Sequence, residues 1–376
     1  MRKYFMAMAA AVGLLAATNA SAADLGSMSW DDIVAQAKAE GEVTFFSWWG
    51  EEWWRTAAQQ FEEQTGIKVK VIIGETDATV NKMLTEKDLE EGTIDVLHFG
   101  GAAVKTVMDA KLLIPGIQSI VPNEAALDPK LSAQQEGVDV SGYVIPVYRN
   151  QTGLLYDPDR LATPPQSWDE LVAFIDENPG QFAFTNPTKG GSGQAMMQAA
   201  IFGVLGDKTR YAGDTELDPA KVADWGKVWD WFNAIEDKVI VTNSNFDSIE
   251  RLNQGEVSLV VAWDDDTAIA LSKGTLSPKT RLYIPEMGLP GGGDTLGVPA
   301  NAAHPAAALV FINYLTDVEV QKAMNAMIGS YVARTDVTGE SALIPEKQRQ
   351  AYGQAWVPAP YKQLYTEEFV TKVLQQ

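Results

Sequence analysis

One short stretch combines an aromatic ring with carboxylates directly after the apolar run 257–263 (VSLVVAW), in the order Trp263, Asp264, Asp265, Asp266. Carboxylates pair with the ammonium groups of an amine, while an indole packs on its methylenes or attracts its charge. The same set accepts hydrogen bonds from the hydroxyls of a sugar. The structural alternative is that one Asp caps the helix expected from Thr267. We expect at least one of the three carboxylates to contact a ligand.

A second group follows the predicted strand 43–48 (VTFFSW) and comprises Trp48, Trp49, Gly50 and Glu51. An indole face can stack on a sugar ring or hold an ammonium ion. Because side chains alternate across a strand, we expect only one of the two Trp to line a ligand site and the other to pack under the sheet.

Polar and small residues also follow the next two predicted strands, 69–73 and 94–99. Glu75 follows the first, where it could also serve as a helix cap. His98, Gly100 and Gly101 close the second, and such glycines let backbone amides approach a ligand or simply form a tight turn. With two His and no Cys in the chain, no metal-ligand spacing exists, so we expect no metal and no cofactor.

The remaining candidate ligand-binding residues lie in three further segments: Tyr148, Arg149 and Asn150 in the extended run 142–156; Asn186, Gly191 and Ser192 in the loop 186–192; and Tyr283 at a possible lip of the site. Arg149 could instead pair with an acidic residue across the cleft. The glycine-rich loop and the helix after it suit a carboxylate or phosphate group. No Walker pattern is present, which argues against nucleotide hydrolysis.

Short β runs alternate with helical patterns along the chain, which predicts an α/β protein with mostly parallel sheets flanked by helices. Ser29 is placed to cap the helix predicted over 30–39, and Ser167 with Glu170 forms a capping box. In open α/β sheets, ligands bind at the carboxyl ends of the strands. The candidate residues above follow predicted strands, so the same edge would collect them.

A length of 376 residues corresponds to about two domains. Pro146 and Pro285 interrupt extended runs, where a proline marks an edge or a crossing. We therefore predict a first lobe of residues 23–146 plus 284–316 and a second lobe of 147–283 plus 317–376, with a ligand cleft between them. Hinge residues near the two prolines would absorb the rotation that closes the cleft.

The first 22 residues are typical of an export signal: a basic start, an apolar run over 5–17, and a small-residue cleavage site at Ala20–Ser21–Ala22. The apolar run is too short to span a bilayer, which needs about 20 residues. The formal net charge of −21 disfavours nucleic-acid partners. We expect a secreted, periplasmic monomer without disulfides.

Several tracts, in this order from about residue 30 to residue 335, resemble bacterial extracellular solute-binding proteins of ABC importers: EVTFFSWWGEEWWRTAAQQFEEQTGIKVKVI, IDVLHFGG, PVYRNQTGLLYDPDRLATPPQSWDELV, GEVSLVVAWDDD and AAALVFINYLTDVEVQKAMNAMIGSY. The similarity is greatest to the group that binds spermidine/putrescine, iron and thiamine. The resemblance implies a two-lobe periplasmic binding protein fold of type II, closure on a small solute, and docking to a membrane permease. It does not determine the solute.

The acidic charge, the Trp residues and Asp264–Asp266 favour a small cation such as a polyamine as ligand. A sugar or polyol is the second hypothesis, and an anion bound through Arg149 and the loop 186–192 is the third. Ferric iron is disfavoured, because the tyrosine pair typical of iron-binding members is not evident near Tyr331. An enzyme would have to use Asp264–Asp266 for glycoside hydrolysis. Since no nucleophile elbow, catalytic triad or cofactor loop is present, we predict a protein that is not an enzyme.

Overall fold

The structure, a computed structural model, describes residues 25–101, 103–337 and 343–375. The predicted signal segment 1–22 lies outside these residues. Within the described ranges, every helix is too short or too polar to cross a membrane.

A five-stranded sheet forms the centre of the first lobe, with its strands side by side in the order Lys68–Ile73, Glu42–Ser47, Val96–Phe99, Thr295–Gly297 and Ile145–Pro146. The first three run parallel to one another, and Thr295–Gly297 is antiparallel to both of its neighbours. Phe45 and Phe46 lie in different hydrophobic clusters, because successive side chains of a strand point to opposite faces of the sheet. Both faces are therefore covered.

The helices around this sheet are Trp30–Glu40, Glu51–Thr65, Thr76–Glu86, Ala103–Asp109, Pro129–Ala133, Pro305–Leu315 and Val318–Ile328, with 3-10 turns at Ile117–Ser119 and Pro122–Ala126. The predicted cap at Ser29 is confirmed: its side chain accepts a hydrogen bond from the backbone N–H of Asp32. Gly41, at φ 76°, ends that helix in the left-handed conformation that glycine tolerates best.

The second lobe is built on a sheet whose main path runs Gly353–Gln354, Leu289–Gly292, Tyr148–Tyr156, Leu259–Trp263, Phe182–Thr185 and Val239–Thr242. The strands Arg281–Tyr283 and Tyr331–Val332 also pair with Tyr148–Tyr156. A separate two-stranded hairpin joins Gln134–Gln135 to Val138–Asp139.

The helices of this lobe are Trp168–Glu177, Gly191–Leu205, Pro219–Val222, Gly226–Ala234, Asn245–Gln254, Asp264–Ser272, Glu346–Tyr352 and Ala359–Phe369, with a 3-10 turn at Glu236–Lys238 and a π-helical turn at Val370–Leu374. The capping box predicted for Ser167 and Glu170 is present in both directions. The predicted α/β class with sheets flanked by helices is thus confirmed. The expectation of mostly parallel sheets is wrong: both sheets are mixed, because Tyr148–Tyr156 and Thr295–Gly297 run antiparallel to the strands they pair with.

The chain first crosses between the sheets at Val147, next to Pro146. It returns at Gly293 and Asp294, and the prediction of a crossing at Pro285 is wrong. The strand Leu289–Gly292 still pairs with the second sheet, and Leu289 is buried in the second lobe's core. The predicted lobe boundary at residue 284 is therefore too early.

The boundary predicted at residue 317 also differs from the structure. The helix Val318–Ile328 buries Val320, Met324 and Ile328 in the same cluster as Phe45, which belongs to the first sheet. The chain pairs with the second sheet again only at Tyr331–Val332. The spacing of Val320, Met324 and Ile328 is typical of a helix with one buried face. It does not show which of the two hydrophobic cores that face covers.

Candidate functional site

A cleft of about 960 Å³ separates the two lobes. Residues after the strands Glu42–Ser47 and Val96–Phe99 form one wall, and residues from Asn150 and the end of Leu259–Trp263 contribute to the other. The predicted site residues that line it are Trp48, Trp49, Gly50, Glu51, Gly100, Gly101, Asn150, Gly191, Trp263 and Asp265. The carboxyl ends of strands from both sheets therefore meet there.

Both Trp48 and Trp49 line the cleft, so the expectation that only one would do so is wrong. The strand ends at Ser47, and side-chain alternation no longer applies beyond it. Trp48 keeps 46% of its surface exposed. Trp49 donates a hydrogen bond from Nε1 to the Tyr148 hydroxyl at 2.6 Å, which fixes its ring at the edge of the cleft.

Asp294 is the carboxylate around which this wall is organised. Its Oδ2 accepts hydrogen bonds from Trp48 Nε1 at 3.0 Å and from the Tyr148 hydroxyl at 2.8 Å. Oδ2 also lies 3.2 Å from Nε2 of His98. Oδ1 has no hydrogen-bond partner among the described residues, while Asp294 lines the cleft. One oxygen is thus held by the protein and the other is available to a solute.

Burial alone would raise the pKa of Asp294, but His98, Tyr148 and Trp48 outweigh it and hold the pKa below its ordinary value. Asp294 is therefore ionised at neutral pH although only 8% of the residue is exposed. Gly100 is needed beside it, because a Cβ at that position would collide with Oδ1.

His98 and Tyr148 do not line the cleft but lie beneath it, fully buried. His98 Nδ1 is 2.7 Å from the Ser47 hydroxyl, which holds the ring in place. Burial, followed by the charges of Asp294 and Asp265, raises the pKa of Tyr148 well above its ordinary value, so its hydroxyl remains a donor. Both residues position Asp294.

Asp265 lines the second-lobe side of the cleft and accepts a hydrogen bond from Asn150 Nδ2 at 3.4 Å. Burial is the main cause that raises the pKa of Asp265 to about 6. Its neighbour Asp266 also lines the cleft, and burial together with the charge of Asp265 raises the pKa of Asp266 well above its ordinary value. At neutral pH Asp265 is thus the carboxylate of this helix start that ionises most readily.

Asp264 does not line the cleft. Its Oδ1 accepts hydrogen bonds from the backbone N–H groups of Gln151, at 3.0 Å, and Asp265, at 2.9 Å. Burial and the charge of Asp265 raise its pKa well above the ordinary value. Asp264 therefore joins the helix start to the strand beside it. The helix begins at Asp264, not at Thr267, and Trp263 is its N-cap residue, so the capping role weighed above for one of the three Asp is not observed.

Trp263 and Gly191 meet on the second-lobe wall. A Cβ at residue 191 would lie 2.8 Å from Trp263 Cζ2, so glycine leaves the space in which the indole packs. Trp356, whose role the sequence did not reveal, lies with its ring centroid 6.0 Å from that of Trp263. Together the two indoles give this wall a continuous aromatic surface.

Other predicted residues lie away from the cleft for identifiable reasons. Glu75 precedes the helix Thr76–Glu86, and the next two residues line the cleft in its place. The Asn186 side chain closes its own turn by accepting hydrogen bonds from Thr188. Ser192 is fully buried and donates from its hydroxyl to Asn245 Oδ1 at 2.7 Å.

Arg149 and Tyr283 are likewise engaged elsewhere. Arg149 donates from Nε to the Val332 carbonyl and lies within 3.6 Å of the carboxylates of Asp128 and Glu346. It is thus paired with acidic residues, but these do not line the cleft, so the pairing is not the one expected across it. The Tyr283 hydroxyl donates to the Pro165 carbonyl, so this residue belongs to the second lobe's core and not to a lip.

Tyr331, considered for iron, donates its hydroxyl to the Ile344 carbonyl. The guanidinium groups of Arg149 and Arg349 lie 5.7 Å and 5.3 Å from its ring centroid. Over the described part of the chain, no group of three or more His, Asp or Glu side chains is placed to hold a metal ion.

Acidic side chains outnumber basic ones around the cleft. The acidic set is Glu51, Glu52, Asp77, Glu136, Asp265, Asp266 and Asp294, and the basic set is Lys189, Lys273 and Lys362. The only sequence signal for Asp294 is its position directly after three glycines. Glu136, Trp356 and Lys362 carry no local signal, because chain segments distant in sequence bring them together.

The sequence is similar to those of bacterial solute-binding proteins. The family model for bacterial extracellular solute-binding proteins matches residues 56–349. The chain is 23% identical over 319 residues to protein YnjB of Escherichia coli (strain K12), covering 80% of this chain and 81% of that protein. It is 25% identical over 277 residues to the spermidine/putrescine-binding periplasmic protein of the same strain, covering 72% of each.

Among solved structures, the spermidine/putrescine ABC transporter substrate-binding protein PotD from Streptococcus pneumoniae superposes with a TM-score of 0.68 at 16% identity, covering 89% of this chain and 98% of that one. This likeness shows that the two-lobe fold implied by the sequence resemblance is present. Together with the family match over most of the chain, it confirms the family that the sequence indicated: the protein belongs to the bacterial extracellular solute-binding proteins.

Proposed function

We propose that this protein is the periplasmic solute-binding component of an ABC importer and that its solute is a small organic cation with primary amine groups, a linear polyamine first among them. The signal segment predicted for residues 1–22 supports a periplasmic location. Two of the relatives named above bind spermidine or putrescine according to their names.

The proposal depends mainly on one observation: the carboxylate of Asp294 is ionised and lines the cleft. Three protein groups hold its Oδ2, so the carboxylate stays ionised, and the indole of Trp48 lies next to it. An ammonium placed at Oδ1 would form a charge-assisted hydrogen bond close to an aromatic ring. A cation is the solute class that gains most from this arrangement.

A second carboxylate in the cleft favours a ligand with two amine groups. Asp265 lies on the second-lobe side, and its pKa is affected by the charge of Asp294, so the two carboxylates are near enough to interact. A ligand with an ammonium at each end would relieve this repulsion. It would also join the lobes, so contacts made only in the closed form would favour closure.

A sugar or polyol is the alternative that one observation favours. Trp48 and Trp263 present indoles to the cleft, and indole faces also stack on sugar rings. A neutral solute, however, would leave the ionised Asp294 and Asp265 without a counter-charge. Glycoside hydrolysis is less well supported, because Asp264, one of the carboxylates it would need, is fully buried outside the cleft.

The test is calorimetric titration and thermal shift of the secreted chain with 1,4-diaminobutane, spermidine, sorbitol and glucose, each at the same concentrations. A solute present at a hundred times its dissociation constant stabilises the folded state by about 2.7 kcal/mol. We expect both amines to bind and both polyhydroxyl compounds to leave the melting temperature unchanged. Binding of the polyhydroxyl compounds without binding of the amines would overturn the amine proposal and leave the sugar hypothesis in its place.

A further inference from the structure

A second carboxylate–indole pair lines the cleft, and the chain fills it with its own ammonium group. Lys362, on the helix Ala359–Phe369, has its Nζ 2.7 Å from Glu136 Oε1 and 3.9 Å from the ring centroid of Trp356. All three residues line the cleft. The pair Glu136 and Trp356 offers an ammonium the same two contacts that Asp294 and Trp48 offer at the other position.

The ion pair is well enclosed and only partly satisfied. The side chains of Lys362 and Glu136 are 11% and 7% exposed. Glu136 Oε2 is buried and has no hydrogen-bond partner within the described chain. Lys362 therefore supplies the ammonium that this enclosed carboxylate holds.

The partners come from different parts of the chain. Glu136 lies at the tip of the hairpin between Gln135 and Val138, and its backbone carbonyl accepts a hydrogen bond from the N–H of Ala359. Gly137, at the same tip, is closely packed against Pro358. These contacts hold the carboxylate in place beside the helix that carries the lysine.

We infer that Lys362 is a specificity-determining residue: its ammonium occupies the Glu136–Trp356 position as an internal substitute for a ligand amine, and so makes the cleft favour ligands with fewer amine groups. This inference rests on the proposed function, because it assumes that the solute is an amine. A diamine then uses Asp294 and Asp265, while the third amine of a longer polyamine finds its position taken and meets a like charge.

The test compares the dissociation constants of 1,4-diaminobutane and spermidine in wild type and in Lys362→Ala. Removing the lysine opens the Glu136–Trp356 position. Spermidine should then bind roughly tenfold more tightly, the scale of one charge-assisted contact, while the affinity for 1,4-diaminobutane changes far less. The ratio of the two constants is the readout, since a merely structural ion pair would not alter it.

Two further variants separate this effect from others. Lys227→Ala removes an exposed lysine outside the cleft, so it controls for the loss of one positive charge and should leave the ratio unchanged. Glu136→Gln combined with Lys362→Ala removes the carboxylate as well, and the gain for spermidine should disappear. That double variant leaves no unpaired charge and should fold if the single variant does not.

If Lys362→Ala is too unstable to titrate, Glu136→Gln alone provides the test. It frees the Lys362 ammonium from its carboxylate, and spermidine should bind more weakly relative to 1,4-diaminobutane. An unchanged ratio in Glu136→Gln would overturn the role of Lys362 but not the proposed function. So would an equal ratio in wild type, Lys362→Ala and Lys227→Ala with amines still bound. If no variant binds either amine, both proposals are overturned.

Discussion

The indole Nε1 of Trp48 donates to Oδ2 of Asp294 across 3.0 Å, although 246 positions separate the two residues. Trp48 follows the strand Glu42–Ser47, and Asp294 lies where the chain returns from the second sheet to the first. The bond therefore joins the first lobe to a crossing between the lobes. A solute bound at Asp294 would contact the segment about which the lobes are expected to rotate.

Replacing Asp294 by Asn should weaken amine binding by roughly tenfold to a hundredfold, because an ionic hydrogen bond contributes about 1.5–3 kcal/mol. The amide oxygen still accepts from Trp48 and Tyr148, so the melting temperature should change little. Calorimetric titration with 1,4-diaminobutane measures the effect. Asp109→Asn, at an exposed carboxylate paired with Lys105, is the matched control; equal losses in both variants would contradict a local role for Asp294.

Gly100→Ala tests the same site through its geometry. The added Cβ collides with Oδ1 of Asp294, so the carboxylate has to move away from its position beside Trp48. We expect weaker amine binding in a chain whose circular dichroism is unchanged. Gly26→Ala, where a Cβ meets no atom within 4 Å, should retain wild-type affinity. Full affinity in Gly100→Ala would show that the position of Oδ1 does not matter for binding.

The sequence alone predicted features whose signals are local. The capping residues Ser29 and Ser167 precede their helices as expected. Such features depend on neighbours a few residues away. Trp48 and Asp265 could be predicted in this way, because each directly follows a strand whose end lies at the cleft.

Long-range pairing determines the features that the sequence did not reveal. Asp294 reaches the cleft because Thr295–Gly297 pairs with Val96–Phe99, almost 200 residues earlier. Lys362 reaches it because the C-terminal helix packs beside the hairpin that carries Glu136. A single sequence contains no local signal for either contact, which is why Asp294 and Lys362 were absent from the predicted site.

Amine binding should weaken as the pH falls from 7.5 to 5. Burial raises the pKa of Asp265 to about 6, so this carboxylate gains a proton over that range and loses its attraction for an ammonium. Asp294 stays ionised, because its pKa is held below the ordinary value. Titrations in wild type and Asp265→Asn check this: the variant should bind more weakly at pH 7.5 and show a flatter pH profile. An equally steep profile in the variant would assign the dependence to another group.

The raised pKa of Asp265 should also make the unliganded protein less stable at high pH than at low pH. Because the folded state holds the Asp265 proton more tightly than the unfolded chain, this residue lowers the free energy of unfolding as the pH rises from about 4 to about 6. Asp265→Asn removes the buried charge and should raise the melting temperature of the unliganded protein at pH 7.5. Scanning calorimetry of wild type and Asp265→Asn at pH 5 and pH 7.5 measures this difference in melting temperature. The difference should be smaller at pH 5, where Asp265 of the wild type is largely protonated.

Substitutions of Trp54 and Trp48 should have different effects, the first mainly on stability and the second mainly on amine binding. Trp54 is fully buried, donates from Nε1 to the Trp49 carbonyl and packs edge-on against Phe45. Trp54→Ala should lower the free energy of unfolding by about 3–5 kcal/mol. Trp48→Ala, at a side chain 46% exposed, should cost far less stability but weaken amine binding. Urea unfolding and titration of both variants test the contrast, which similar stability losses would contradict.

Closure on the solute should be visible as compaction in small-angle scattering. The chain crosses between the lobes at Val147, at Gly293 and Asp294, and again between Ile328 and Tyr331, and such crossing segments permit a hinge rotation that closes the cleft. Saturating 1,4-diaminobutane should reduce the radius of gyration of wild type, because contacts to both lobes favour the closed form. At the same concentration Asp294→Asn should contract less, in proportion to its occupancy. Wild type that is saturated by calorimetry yet unchanged in dimensions would show that the amine binds without closing the lobes.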